Sequence, residues 1–426
     1  MNHRIASVFA LWLASCAGGQ TAPPERQVPE AVPSAAADVL LTSLDFNVKN
    51  KTATAIIDFA ELSETSLTLS KGDLQINTIA DPNGELKWNA RGESLDVGIP
   101  AGTTQIRIDY RYITRPRDGG ALTTGSTRIW PDHCGNLFPC NSAPGDGSQF
   151  RVALSGLTPD EVGVHPRSIS TDAPSYMVAW AVGAYEYKKL GTTEAGTEVG
   201  TYFTEKGRYP MSSGTRQLVA AFDWLEKTLG PYPFGKKVAS VEVDWGKGVN
   251  AAMEYHPFWH VSRGALNNPS IHVHEAAHGW FGNGVRIACW EDLVLSEGVS
   301  SYLAARALEI SRKYVATRLW RDYRNMIRAG NAWPEGCNKI DVRDFGSASV
   351  YARGALLFRA LETDIGRPEL DAALASFYVE NRGQAKRFSD LLDHIKAKTE
   401  FDPLPCAKAW LRDETPPQGS QGCPSR

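Results

Sequence analysis

Two histidines and a glutamate stand close together in the stretch HVHEAAHGWFGN, residues 272–283. His274 and His278 are four residues apart, and Glu275 follows the first of them. The stretch contains good helix formers and no proline, so we predict a helix over residues 272–280, in which positions four apart share one face. Two imidazoles on one face can bind one Zn²⁺ ion, and the adjacent carboxylate can act as a general base. A helix that carries histidines without a metal is the alternative at this point.

A catalytic zinc site needs a third protein ligand and an open position for water. In zinc peptidases of the gluzincin type, that ligand is a glutamate from the following helix. The segment EDLVLSEGVSSYL is similar to such a helix and contains Glu297, with eighteen residues between it and His278. Glu291 and Glu309 are competing carboxylates that lack the surrounding pattern.

The sequence resembles the aminopeptidase N family of zinc metallopeptidases, which also contains leukotriene A-four hydrolase. The family pattern HExxHxWFGN, followed by WxDLWLNEG, is similar to HEAAHGWFGN at 274–283 and WEDLVLSEGVSSY at 290–302. LGPYPFGK at 229–236 and LFPC at 137–140 resemble two further family segments, and SYMVAWAVGAYE resembles the last strands of the family's N-terminal domain. The resemblance covers residues 38–415 and implies a zinc peptidase with one Zn²⁺ ion per chain.

The resemblance also implies a substrate-binding segment. Ala251, Ala252, Met253, Glu254 and Tyr255 together are similar to the family motif GxMEN, whose glutamate binds the free α-amine of the peptide. A fixed carboxylate holds the substrate ammonium and thereby sets which bond is cut. The small alanines would let the substrate backbone approach an edge strand. Tyr255 replaces the family's asparagine, which leaves substrate register and side-chain preference open.

A tyrosine with a role in catalysis is implied by SVYARGALLFRALE, which resembles the family's YxKG helix. The phenol of Tyr351 would donate a hydrogen bond to the oxyanion of the tetrahedral intermediate, and Arg353 stands where the family often has lysine. The family's N-terminal domain supplies a glutamine to the amine site shortly before FPC. RIWPDHCGNLFPC contains none, so Asp132 or a backbone group is a candidate substitute. Val294 and Ser296 replace the family's Trp and Asn beside the third ligand, which would alter the packing there.

These assignments predict a hydrolase that removes N-terminal residues from peptides, with Glu275 as the general base. An endopeptidase, or a specialised peptidase with an open cleft, is the first alternative. A catalytically inactive, surface-anchored peptide-binding lipoprotein is the second. Larger family members add a C-terminal helical domain that closes over the active site, and we expect this chain to lack it. We also expect a monomer.

The elements that position these residues fall into two groups. Short alternating runs such as TATAIIDF, QIRIDYRYI and YMVAWAVGAYEY predict an antiparallel β domain over residues 38–205. Helical patterns dominate after it, beginning with TRQLVAAFDWLEKTLG, while KVASVEVDW predicts a strand. The predicted fold class is α+β with two domains. By resemblance, the first is a saddle-like sandwich and the second, over 206–415, is a thermolysin-like, mainly helical catalytic domain with a small sheet. A C-terminal tail follows over 416–426.

The N-terminus predicts export. MNHR is a positive start, and IASVFALWLA is an apolar run too short for a membrane-spanning helix of about 20 residues. LASC at residues 13–16 resembles the lipobox of bacterial lipoproteins, which implies a signal peptide over 1–15 and a lipid on Cys16. The alternative is a plain secretory signal with an incidental cysteine. Residues 16–37 would then be a flexible tether that anchors the protein to the bacterial envelope.

Charge and cysteine content limit the partners and the redox environment. The net charge is −3, from 45 basic and 48 acidic residues, which gives no reason to expect a nucleic acid as partner. Six cysteines remain besides Cys16, and an even number in an exported chain indicates disulfides. Our hypothesis pairs neighbours, namely Cys134 with Cys140, Cys289 with Cys337 and Cys406 with Cys423. No CxxC spacing occurs, so we do not expect a zinc knuckle.

Overall fold

The computed structural model describes residues 38–62, 65–249, 251–337, 348–417 and 422–423. The predicted signal peptide, the candidate lipidation site at Cys16 and the predicted tether up to residue 37 lie outside these ranges. No helix within the described ranges combines the length and the apolar character that crossing a bilayer requires.

The described residues from 38 to 183 form mainly strands. In chain order they are β1 Val39–Asn47, β2 Thr52–Phe59, β3 Ser66–Ser70, β4 Gln75–Asp81, β5 Gly84–Glu85, β6 Trp88–Arg91, β7 Ser94–Gly98, β8 Gln105–Arg111, β9 Thr114–Arg115, β10 Gly120–Leu122, β11 Thr127–Arg128, β12 Ser148–Ser155, β13 Val162–Val164, β14 Ser168–Ala173 and β15 Ala181–Gly183. The largest sheet has the order β14-β12-β1-β2-β8-β4-β5. Every second residue of β2 is buried, as expected for a strand with one face on the core.

The second half is mainly helical. Its helices are α1 Arg208–Gly214, α2 Leu218–Leu229, α3 Pro269–Ala277, α4 Val299–Met326, α5 Ala348–Ile365, α6 Arg367–Asn381, α7 Phe388–Thr399 and α8 Leu404–Leu411. Its strands are β16 Glu186–Thr192, β17 Glu198–Phe203, β18 Lys237–Val243, β19 Ala252–Met253, β20 Phe258–Ser262, β21 Phe281–Gly282, β22 Val285–Ile287 and β23 Ala385–Lys386. The predicted α+β fold class, with a β-rich part before a mainly helical part, is confirmed.

One mixed sheet supports the helical half, in the order β16-β17-β18-β20-β19. Strand β19 contains Ala252 and directly follows Ala251, and it lies at the edge of this sheet, where it pairs with β20. Strands β16 and β17 precede residue 205, yet β17 is hydrogen bonded to β18 beyond it. The predicted domain boundary therefore falls between paired strands, and the division at residue 205 stays a prediction.

Two details of the strand region differ from expectation. Pairing is antiparallel in most of it, but β1 runs parallel to β12, and β9 runs parallel to β10. The predicted strand YMVAWAVGAYEY is interrupted, because residues Ser175–Met177 form a 3₁₀ turn. The buried segment that follows satisfies its backbone through Thr127, whose hydroxyl accepts a hydrogen bond from the Trp180 N–H at 3.0 Å.

The disulfide hypothesis is confirmed. Cys134 is bonded to Cys140, Cys289 to Cys337 and Cys406 to Cys423. The last bond links part of the predicted C-terminal tail to helix α8. Most of the described buried apolar residues of both halves form one large cluster, which runs from β1 to α8, and a second, smaller cluster contains Trp245 and Met253.

Candidate active site

Helix α3 carries the two histidines with which the sequence analysis began. It starts with Pro269, and the side chain of the preceding Asn268 accepts a hydrogen bond from the Ser270 N–H at 3.1 Å. Both residues are typical of a helix start, since proline lacks an N–H and asparagine caps one. The helix ends at Ala277, and His278 retains helical dihedral angles at the C-cap. The predicted helix over 272–280 is thus confirmed, with its start and end about three residues earlier.

Hydrogen bonds on the outer ring nitrogens orient both imidazoles. His278 Nδ1 lies 3.1 Å from the carbonyl oxygen of Phe281 and 3.2 Å from the hydroxyls of Ser296 and Ser300. His274 Nδ1 lies 3.4 Å from the hydroxyl of Ser301. Because Nδ1 is engaged in each ring, Nε2 is left to face the site, as in metal-binding histidines generally.

Glu297 approaches these rings from an irregular turn. Residues Val294–Gly298 form a short π-helix directly before α4, and such widened turns are frequent at functional sites. Glu297 Oε2 lies 3.0 Å from His274 Nε2 and 3.3 Å from His278 Nε2, and the two Nε2 atoms are 3.1 Å apart. Ligand atoms around a tetrahedral zinc ion are separated by about 3.3 Å. Two nitrogens and one oxygen at these distances fit Zn²⁺.

The charges of this cluster also favour a cation. Burial raises the pKa of Glu297, but His278 and His274 outweigh it and bring the value down to about 2. Burial lowers the pKa of His278, but Glu297 and the other two carboxylates of the site raise it to about 10. A buried carboxylate that stays ionised and stabilises positive charge on a neighbouring ring will equally stabilise a bound metal ion.

Two more carboxylates lie beside the cluster. One oxygen of Glu254, one of Glu275 and a ring nitrogen of His278 all lie within 4.8 Å of one another. Burial raises the pKa of Glu254 to about 7 and that of Glu275 well above its usual range. The hydroxyl of Tyr176 lies near Glu254 and donates to Asn283 Oδ1 at 3.4 Å, and Glu254 Oε1 has no hydrogen-bond partner among the described residues. A buried acceptor of this kind is destabilising unless a ligand donates to it.

The segment that carries Glu254 is attached to α3 on both sides. The side-chain amide of Asn283, from the WFGN motif, donates to the carbonyl of Glu254 at 2.5 Å. His256 Nε2 donates to the carbonyl of Glu275 at 2.8 Å, and Tyr232 donates to His256 Nδ1 at 2.7 Å. These contacts fix the distance between the candidate amine anchor and the candidate base.

The predicted substrate-binding residues differ in their exposure. Ala251 and Ala252 are half-buried at the edge strand, where a substrate backbone can approach. Met253 is buried in an apolar cluster that includes Trp245 and Tyr255. The prediction that Met253 binds substrate therefore does not extend to its side chain, which packs under the strand.

Tyr351 extends from α5 towards the metal-binding residues. Its ring centroid is 5.8 Å from that of His274, and burial and then the nearby Glu297 carboxylate raise the pKa of its phenol. The phenol therefore remains protonated and can donate a hydrogen bond. Gly354, three residues later, allows this approach, because a Cβ atom there would lie 2.5 Å from Cα of Gly298 in the π-helix.

Arg353 anchors the same helix on its other side. The guanidinium is buried and donates to the carbonyls of Trp410 at 2.5 Å, Asp413 at 2.6 Å and Gly330. The arginine in place of the family's lysine thus binds two backbone segments at once, one at residue 330 and one over 410–413, which uses the several donors of a guanidinium.

Three carboxylates that the sequence offered as candidates lie away from the metal-binding cluster, and one residue near Glu254 was not predicted. Glu291 lies beside the Cys289–Cys337 disulfide, and Glu309 accepts a hydrogen bond from the Trp320 indole. Asp132 is more than half exposed and faces His133. Tyr176, by contrast, contacts Glu254 although the sequence analysis assigned it no role. It lies in SYMVAWAVGAYE, and that resemblance was the signal that could have identified it.

Comparisons with known proteins agree with this geometry. Residues 252–410 match the sequence profile of the peptidase family M1 domain. Leukotriene A-4 hydrolase of Xenopus laevis is 22% identical over 393 residues, which cover 79% of this chain and 63% of that protein. Aminopeptidase N of Lactococcus lactis subsp. lactis is 22% identical over 433 residues, which cover 86% of this chain and 50% of that protein. The chain thus spans between half and two thirds of the length of these relatives.

Solved structures show the same two-domain fold. An M1 zinc metallopeptidase mutant from Deinococcus radiodurans, bound to a Tyr-Ser-Ala substrate, superimposes with a TM-score of 0.78 at 17% identity, covering 90% of this chain and 96% of that one. Aminopeptidase A of Legionella pneumophila, in complex with aspartic acid, has a TM-score of 0.76 at 18% identity, covering 90% of this chain and 50% of that one. Residues 252–410 of this chain are therefore similar to the peptidase family M1 domain, and the chain has the two-domain fold of these M1 zinc metallopeptidase structures.

Proposed function

We propose that this protein is a zinc-dependent aminopeptidase that hydrolyses the N-terminal residue from peptides. The observation that carries the proposal is the position of Glu254. It is a buried carboxylate with one oxygen unpaired among the described residues, and it lies within reach of Glu275 and His278. A peptide ammonium donates the missing hydrogen bonds and supplies the compensating charge. The relatives named aminopeptidase N support the same conclusion.

Each residue of the site has one task in this mechanism. His274, His278 and Glu297 would hold a Zn²⁺ ion, which would polarise the scissile carbonyl and lower the pKa of water to about 7. Glu275, which is buried and has a raised pKa, accepts the proton of the attacking water and delivers it to the leaving amine.

Substrate is held by other groups. Glu254 binds the α-ammonium, and the edge of β19 offers backbone groups to the extended peptide. Tyr351 donates its hydroxyl hydrogen to the oxyanion as the carbonyl becomes tetrahedral. Because the amine anchor and the base belong to segments joined through His256 and Asn283, the first peptide bond is the one presented to the base.

Matched peptides test the proposal. The purified chain from residue 38 onwards is incubated with one peptide series in free and N-acetylated forms, with and without a zinc chelator. Free peptides should lose their first residue, the chelator should abolish this, and re-added zinc should restore it. Equal cleavage of acetylated and free peptides would favour the endopeptidase alternative. Tight binding of free peptides without turnover would favour the inactive binding protein.

We further propose that the protein is exported and anchored to the bacterial envelope through a lipid on Cys16. The charged start, the short apolar run and LASC in the sequence support this, and three disulfides fit an oxidising compartment. Metabolic labelling with palmitate should mark the wild-type protein but not Cys16→Ser. Equal labelling of the two proteins would exclude this lipidation site.

A further inference from the structure

Tyr255 follows the amine anchor directly, but its side chain points into the N-terminal domain. Its hydroxyl oxygen accepts a hydrogen bond from the Ile129 N–H at 3.1 Å. Its ring is fully buried and packs edge-on against His260, with centroids 5.0 Å apart. Two consecutive residues thus face opposite ways, since Glu254 lines the site and Tyr255 binds the backbone of the other domain.

Trp130 directly follows Ile129, whose N–H donates to the Tyr255 hydroxyl. The Trp130 ring packs edge-to-face on Trp290, with centroids 6.2 Å apart and planes at 82°. The ring centroid of Trp290 lies 6.2 Å from that of Tyr176, and the Tyr176 hydroxyl lies near Glu254 and donates to Asn283 Oδ1 at 3.4 Å. We call Trp130, Trp290 and Tyr176 the aromatic wall.

The aromatic wall has apolar surface left to cover. Trp130 and Trp290 are both half-buried, whereas Tyr176 is buried and reaches the anchor. A peptide whose ammonium is bound at Glu254 has its first Cα one bond from that nitrogen, about 1.5 Å away. The side chain of the first peptide residue must therefore begin beside Glu254. Aromatic rings there favour large apolar and aromatic side chains, through burial and ring stacking.

We propose that Tyr255 is a positioning residue that holds Trp130 in the aromatic wall, and that this wall selects peptides with a large apolar or aromatic N-terminal residue. The inference rests on the proposed aminopeptidase function and names the substrate class of the same site. It also gives a role to the tyrosine that stands in place of the family's asparagine.

The hydroxyl of Tyr255 is the group on which the proposal depends. Tyr255→Phe keeps the ring and its packing but leaves the Ile129 N–H without this acceptor, so the backbone before Trp130 must shift. The rest of the segment has other supports. The Thr127 N–H donates to the Trp180 carbonyl at 3.0 Å, and the His133 N–H donates to the Ile129 carbonyl at 2.9 Å. The variant should therefore fold, with a displaced wall.

The test compares aminoacyl coumarin amides of phenylalanine, leucine and alanine. In Tyr255→Phe, kcat/KM for the phenylalanine and leucine substrates should fall about tenfold relative to alanine. The change should lie in KM rather than in kcat, and the bound zinc should stay at the wild-type amount by elemental analysis. Trp130→Leu should shift selectivity in the same direction. Tyr110→Phe is the matched control, because Tyr110 is a buried tyrosine of the N-terminal domain whose hydroxyl donates to the Leu137 carbonyl at 3.1 Å. It should not change the selectivity.

The outcomes separate the inference from the function on which it rests. If the wild-type protein releases no coumarin from any of the three substrates, the aminopeptidase proposal fails. If the wild-type protein is active but Tyr255→Phe and Trp130→Leu keep its selectivity, or lose activity equally on all three substrates, the aromatic wall does not select and the inference is wrong. Should Tyr255→Phe fail to fold, Trp130→Leu decides alone.

Discussion

Glu275 and Glu297 are both buried, yet their pKa values are shifted in opposite directions. Burial raises the pKa of Glu275 well above its usual range, while His278 and His274 bring that of Glu297 down to about 2. The Glu275 carboxyl therefore holds a proton more readily than an ordinary glutamate, whereas Glu297 stays an anion suited to a metal. Where the surroundings shift the pKa values of two carboxyl groups in opposite directions, the group with the raised pKa is the candidate acid–base residue.

Replacing Glu275 by glutamine tests the first of these roles. The amide keeps the size of the side chain but cannot take a proton, so hydrolysis should fall by at least about 100-fold. Bound zinc should stay at one per chain by elemental analysis, because the three ligands are intact. Glu297→Gln is the matched comparison, since it should lose zinc as well as activity. Undiminished turnover in Glu275→Gln would remove Glu275 from the mechanism.

Replacing Tyr351 by phenylalanine tests the oxyanion donor. Loss of one donor of this kind costs about 100- to 1000-fold in kcat. The KM for free peptides should change little, because Glu254 still binds the ammonium. Steady-state kinetics distinguish the two parameters, and Tyr323→Phe is a useful control, since that buried hydroxyl donates to the Ser301 carbonyl at 3.2 Å. A Tyr351→Phe effect on KM alone would indicate a binding role instead.

At the level of elements, the regular pieces were predictable and the irregular ones were not. Local periodicity and stop signals identified α2, α3, α5 and β18. The π-helix that carries Glu297 was not foreseen, because one extra residue in a turn leaves the apolar pattern nearly unchanged. Nor could local patterns show that Tyr176 reaches Glu254 or that Met253 is buried, because both depend on packing between distant segments.

Helix α5 illustrates how an element controls the site. Gly354→Ala improves intrinsic helix propensity by about 1 kcal/mol, which would stabilise an unobstructed helix. Here the new Cβ would lie 2.5 Å from Cα of Gly298, so α5 must move away from the π-helix. We expect a net loss of about 1–3 kcal/mol in stability, with a fall in kcat because Tyr351 moves too. Denaturant unfolding and kinetics on one preparation measure both, and a stabilised, fully active variant would contradict this packing.

On the scale of the whole molecule, charged groups join the two domains. Arg286, from β22, donates to the carbonyls of Asp172 and Gly383, each at 2.8 Å, and so links the N-terminal domain to the helical one. Asp146 lies near this guanidinium and near Asp38 and Asp172. Burial and then Asp38 raise the pKa of Asp146 to about 6, although Arg286 opposes the shift. The interface therefore holds a carboxyl that is destabilising when ionised.

Asp146→Asn should consequently stabilise the protein in a pH-dependent way. The folded state keeps the Asp146 proton up to about pH 6, whereas the unfolded chain loses it near the ordinary value of 3.8. Wild-type stability therefore falls as pH rises between these values. The variant should gain on the order of 1 kcal/mol at pH 7 and nothing at pH 4, after allowance for solvent screening. Urea unfolding at both pH values measures this, with exposed Asp160→Asn as the control, and an equal gain at both would refute it.

The three carbonyls bound by Arg353 have a practical consequence for making variants of this protein. The guanidinium of Arg353 connects the helix that carries Tyr351 to the backbone carbonyls of residues 330, 410 and 413 through hydrogen bonds. A shortened protein that ended before helix α8 would lack the carbonyls of Trp410 and Asp413. The buried guanidinium of Arg353 would then lose two of its hydrogen-bond acceptors. Affinity tags and fusion partners belong beyond Cys423, because this residue is bonded to Cys406 of helix α8.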